Sequence, residues 1–147
     1  MARSLSVKIP TASLIADIEA SLAKIEADIA EYPTALAKYR EDYEAHKQNI
    51  IRLSIEALGK PGLIGTDFDS PIRVSNQYGR DVSIRLDADK LGFPEAPTEP
   101  RKPNEHQSFG REYTTRKSLL ERNLKVLKMT SQEEVSATTY NTVIDLL

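Results

Sequence analysis

At 147 residues the chain is one domain's worth of protein, with no room for a second sizeable core. With 29% charged and 39% hydrophobic residues it is polar for a compact globule and suits an elongated helical one, and a net charge of -2 offers no global attraction to nucleic acid or anionic membrane. The absence of cysteine excludes disulfides, thiolate metal sites and cysteine nucleophiles, and two histidines are too few for a histidine metal centre.

Residues 1–10 read as a lead-in ending at Pro10, without the apolar run of a signal peptide. No later segment is apolar enough to span a bilayer, so the expected location is the cytoplasm. Thr11 or Ser13 is the expected N-cap of a long helix, with Asp17 and Glu19 in early turns where the helix dipole favours acids. Along it, apolar or aromatic residues recur at alternating steps of three and four: Ile15, Ile18, Leu22, Ile25, Ile29, Tyr32, Leu36, Tyr39, Tyr43, His46, Ile50, Leu53 and Ala57. That is the 3.5-residue repeat of a coiled-coil seam, and its residues are the expected interface of a homo-oligomer. His46, at a d position, reads as a specificity device within the seam rather than a catalyst.

The flanking charges suggest an orientation. Glu19 and Glu26 precede Pro33, whereas Arg40 and Lys47 follow it at equivalent positions. An antiparallel pair centred near Pro33 sets Glu19 against Lys47 and Glu26 against Arg40, although Asp28 then meets Asp42. This favours antiparallel over parallel pairing by about 1 kcal/mol. Pro33 admits two readings: one long helix kinked there, or a helical hairpin of residues 12–31 and 34–58. Unbroken heptad phase favours the first; the second would let the protein be a monomer. The helix is expected to end at Leu58-Gly59-Lys60-Pro61-Gly62, with Gly59 in the left-handed C′ position and Pro61 barring continuation.

Residues 63–70 read as loop, with or without a short strand. Ile72 and Val74 then alternate with Arg73 and Ser75, and Val82, Ile84 and Leu86 alternate with Ser83, Arg85 and Asp87. Period two on both sides of Asn76-Gln77-Tyr78-Gly79-Arg80 predicts a β-hairpin, which must pack on helices or pair with another subunit. Pro94, Pro97, Pro100 and Pro103 lie along one edge of a polyproline II spacer. Residues 109–129 are expected to resume helix, with Leu119, Leu120, Leu124 and Leu127 on one face and basic residues on the other. A last helix is expected from about Thr138. The expected layout is therefore a coiled-coil helix (1–60), a β-hairpin segment (61–92), a Pro-rich spacer (93–108) and a C-terminal helical segment (109–147). Together they form one folding unit that is mainly α with a small β-hairpin, α+β in class.

Two stretches carry candidate ligand chemistry. Arg73, Arg80 and Arg85 with Tyr78 at the hairpin tip suit phosphate or a groove, although a solvated strand face explains the same residues. Arg111, Tyr113 and Arg116 sit at a helix start whose free N–H groups suit a phosphate or nucleotide, although surface basicity on a helix is common. The proline ladder has the form of a PxxP ligand as well as of a spacer. Asp67, Asp69, Asp87 and Asp89 read as turn acids rather than a metal site. No glycine-rich phosphate loop, nucleophile elbow or acid/base pair is present, so neither an enzyme nor a cofactor is expected.

From Tyr32-Pro33 through Tyr39 and Tyr43, and again over Leu119-Leu120-Glu121-Arg122-Asn123-Leu124-Lys125-Val126-Leu127-Lys128-Met129-Thr130, the chain resembles small coiled-coil accessory proteins of tailed phages of actinobacteria. The resemblance implies a non-enzymatic role in the infected host's cytoplasm, binding a host or phage macromolecule or sequestering a defence signal. It carries over no functional residue. The expectation is a self-associating interaction protein. The alternatives are a binder of nucleotide or nucleic-acid phosphate, such as a signal sponge, or a structural virion component.

Overall fold

One α-helix, α1, runs from Thr11 to Leu58 and contains Pro33. Of the two readings of Pro33, the continuous helix is therefore the observed one: Pro33 has no N–H to donate to Ile29, and the turns on both sides carry the helix across the gap. This is a computed structural model, and it describes residues 9–77 and 79–147. The lead-in over residues 1–8 and the ligand role of Tyr78 fall outside the described residues.

The architecture is mixed α+β. The chain divides into two compact units, one formed by the described residues up to Thr34 together with Arg101–Leu147, the other by Ala35–Pro100. Each unit takes in part of α1.

In the first unit, the seam residues Ile18 and Ile25 are buried with Leu14 against Leu120 and Leu127 of α3 (Arg116–Met129), Val143 of α4 (Ala137–Ile144) and Leu146. Ile15 and Leu22 pack at the edge of the same cluster. The apolar strip assigned to an oligomer interface is thus covered, over this half, by helices of its own chain. The charges follow suit. Glu19 pairs with Lys128 at 2.6 Å and Glu26 with Lys117 at 3.1 Å, in place of the expected Lys47 and Arg40. Both pairs are served when α3 runs antiparallel to α1. Donating a hydrogen bond to the Glu26 carboxylate raises the pKa of Lys117 above its ordinary value.

Short strands complete this unit. β1 (Ile9–Pro10) pairs antiparallel with β7 (Glu134–Val135). Thr11, one of the two candidate caps of α1 with Ser13, donates its hydroxyl to the Gln132 carbonyl and its amide to that of Glu133, both at 2.9 Å. Residues 107–114, of which 109–114 were expected to be helical, form a hairpin of β5 (Gln107–Phe109) and β6 (Glu112–Thr114). Gly110 supplies the positive φ of 63° that a two-residue hairpin loop needs, and Tyr113 and Thr114 favour extended backbone. The helix can begin only after Thr115, whose hydroxyl accepts from the Ser118 amide.

In the second unit, α1 ends at Leu58, and Gly59 does not adopt the left-handed conformation expected of it. Lys60 turns extended, as a residue before proline prefers, and a 3₁₀ turn follows over Pro61–Leu63. Strands β3 (Ile72–Gln77) and β4 (Asp81–Leu86) form the expected antiparallel hairpin, in the register Ile72↔Leu86, Arg73↔Arg85 and Val74↔Ile84. A two-residue strand, β2 (Ile64–Gly65), joins β3 in parallel, making the hairpin a three-stranded sheet. Asp87 then caps the single-turn helix α2 (Ala88–Leu91), which Gly92 closes with a φ of 67°. Beyond it the proline segment has no regular secondary structure. Pro97 and Pro100, three apart on one edge, are half-buried, whereas Pro94 is exposed.

Candidate functional site

The second unit is poor in core. Among its described residues only Ala57 and Ile72 are buried apolar side chains, while Tyr43, Ile51, Ile55, Leu58, Ile64, Phe68, Val82 and Ile84 are exposed. The seam residues Tyr39, His46, Ile50 and Leu53 are half-buried. Their partial cover is the returning proline segment: Ala35, Lys38, Tyr39 and Asp42 line one shallow cleft with Pro97, Thr98 and Pro100. Tyr43, His46, Lys47, Ile50 and Ile51 line a second, of about 330 Å³, with Ala96. The segment expected to be a solvated spacer therefore lies along α1, antiparallel to it. Tyr43 stands between Tyr39 and His46, with ring centroids 5.7 Å and 6.5 Å away, and the Lys47 ammonium lies 5.4 Å from its ring.

From Ile51, at the edge of this cover, a different stripe runs bare. Ile51, Ile55 and Leu58 follow one another at helical spacings of four and three, with Ile51 52% and Ile55 66% exposed. They lie off the predicted seam, on positions that a heptad reading assigns to solvent. Arg52 and Glu56 flank the stripe and pair with each other at 2.7 Å, and Lys47 pairs with Glu44 at 2.5 Å. The Glu44 hydrogen bond raises the Lys47 pKa.

A polar cleft of about 430 Å³ opens on the sheet, lined by Phe68, Ser70, Arg73, Arg85, Leu86, Asp87 and Ala88. Strand alternation explains its chemistry: pairing Arg73 with Arg85 puts both guanidinium groups on one face, beside the Ser75–Ser83 hydroxyl contact of 2.7 Å. The six-residue connection from β2 to β3 is too short for the usual crossover, so it loops out and presents Phe68 at its crest. Lys90 secures that loop, its ammonium donating to the carbonyl oxygens of Asp69 at 3.2 Å and Phe68 at 3.5 Å. Gly65 admits the Ser70 side chain, since a Cβ there would fall 2.2 Å from Ser70 Oγ.

Of the residues expected to hold a ligand, Arg73 and Arg85 come together. Arg80 lies in the turn at the far end of the same hairpin, about 16 Å from Arg85 at about 3.3 Å per residue. Arg111, Tyr113 and Arg116 belong to the first unit. Arg116 donates through Nε and Nη2 to backbone oxygens of Leu146 and Leu147, tying the start of α3 to the residues that follow α4. Exposed Tyr113 stacks on His106 at 5.7 Å. The α3 start is not a free phosphate seat: Thr115 Oγ1 accepts from the Ser118 amide at 3.2 Å and Asn104 Oδ1 accepts from the Lys117 amide at 2.9 Å. Removing the buried Thr115 hydroxyl, in Thr115→Ala, should cost about 1 kcal/mol in urea unfolding, and Thr115→Ser should restore most of it.

Phe68 was missed because Asp67 and Asp69 dominate its loop in the sequence. The signal present there was a large aromatic in a short polar loop that cannot bury it. No group of three or more His, Asp or Glu side chains gathers in metal-binding range among the described residues, and no helix among them is long and apolar enough to cross a membrane. Comparison with protein-family models, curated proteins and solved structures finds no match for this chain.

Proposed function

We propose that this chain is a non-enzymatic, self-associating interaction protein in which the second half of α1 is the association surface. The observation that carries this reading is the bare Ile51–Ile55–Leu58 stripe in a unit that buries little apolar surface of its own. Burying an isoleucine contributes about 1.5–3 kcal/mol, so leaving such a stripe in water forgoes stability that a second copy would recover. Two copies of α1 laid antiparallel about Ser54 bring Ile51 of one towards Leu58 of the other. Arg52 then meets Glu56 of the partner subunit on one flank, twice by symmetry. On the resemblance to phage accessory proteins, we further propose that the assembly acts in the cytoplasm of an infected host, on a host or phage macromolecule.

Sedimentation equilibrium tests the association. Wild-type protein is expected to be dimeric at micromolar concentration. Ile51→Glu combined with Ile55→Glu is expected to be monomeric with unchanged helical circular dichroism, because both side chains are already more than half exposed. A monomeric wild type, or a double variant that assembles like the wild type, overturns the reading.

A further inference from the structure

We propose that the cleft beside Phe68 binds a nucleotide-sized ligand, with a phosphate held between Arg73 and Arg85 and the base laid on the Phe68 ring. The inference does not depend on the association surface, which uses other residues.

Three observations converge on it. Arg73 and Arg85 are directly opposed across the β3–β4 ladder, an arrangement of like charges that opposes strand pairing. Among the described residues no carboxylate comes within 4 Å of either guanidinium. An anion between the two groups would turn that repulsion into charge-assisted hydrogen bonds, for which the planar guanidinium fork is well shaped.

The second observation is Phe68. Its ring is 87% exposed, yet it is not loose: the Arg73 guanidinium sits 4.3 Å from its centroid, and Lys90 holds the backbone of its loop. One ring face meets Arg73 and the rest faces water, which leaves a platform for a flat heterocycle.

The third is the cleft itself. At about 430 Å³ it falls in the range of roughly 300–1,000 Å³ typical of small-molecule sites, and it joins the guanidinium pair to the ring. The one acid lining it, Asp87, is turned to other work. Its Oδ1 accepts from the Lys90 amide at 3.1 Å and its Oδ2 lies 3.9 Å from the Lys90 ammonium, so its charge is partly offset.

Calorimetric titration of the full chain with ADP and, separately, with inorganic phosphate separates the parts of this site. Both probes are expected to bind, ADP the more tightly. Arg85→Ala should weaken both by about tenfold, whereas Phe68→Ala should weaken ADP by about tenfold and leave phosphate unchanged. Arg85 and Phe68 are both exposed, so neither variant threatens folding. Absence of saturable ADP binding at millimolar concentration, or binding that both variants retain, overturns the proposal. So does a single-stranded oligonucleotide that binds more tightly than ADP through the same two side chains, since the surface would then track a polymer.

Discussion

Leu120→Ala should remove about 2–5 kcal/mol from the stability of the first unit, read as a fall in the urea midpoint. Leu120 is fully buried where α3 meets α1, in the cluster formed with Leu14, Ile18, Ile25, Leu127 and Val143. Truncation forfeits the transfer free energy of three carbons and leaves a cavity that two helices cannot easily close. Natural domains hold about 5–15 kcal/mol in total, so the loss is a large fraction of what is available. Val126→Ala on the same helix is the control. Val126 is 62% exposed, and its replacement should change stability by no more than about 0.5 kcal/mol. Equal effects from the two substitutions would mean that α3 does not dock through Leu120.

Pro33→Ala is expected to act in the opposite direction, stabilising the protein by roughly 1–3 kcal/mol. Pro33 is exposed and lies well inside α1, so its replacement removes no packing while restoring a donor for the Ile29 carbonyl. Differential scanning calorimetry should show a higher unfolding midpoint, and far-ultraviolet circular dichroism a small gain in helix. An unchanged midpoint would mean that the helix is already interrupted at residue 33. A lowered one would mean that the proline shapes packing its neighbours depend on.

Much of the local structure was legible in residue order. The uninterrupted steps of three and four from Ile15 to Ala57 specified one helical face, and phase held across Pro33 because α1 itself does. Alternation around Asn76–Arg80 located the β3–β4 hairpin, since a strand's side-chain period is a property of its backbone. The β5–β6 hairpin was harder: its strands are three residues each, too short for alternation to outweigh the helical pattern that follows.

Which surfaces would meet was not readable in the same way. The strip containing Ile18 and Ile25 could be seen to need an apolar partner, but a second copy of α1 and the Leu120–Leu127 face of α3 satisfy that need equally at the level of pattern. Chain connectivity and packing favour α3, and with it Lys117 and Lys128 take the acids that Arg40 and Lys47 had matched on paper. The same holds for charge at the helix start: in the fold the Arg116 side chain donates to Leu146 and Leu147, and the Lys117 and Ser118 amides donate to Asn104 and Thr115.

By itself, then, residue order determined the long amphipathic helix, the central hairpin and the exclusion of thiol chemistry, because each depends on backbone periodicity or on composition. Only the tertiary structure decided what covers that helix, which apolar stripe stays bare, and that Phe68 stands beside Arg73 and Arg85. Those outcomes depend on a competition among distant segments for the same surfaces, which no short-range pattern encodes.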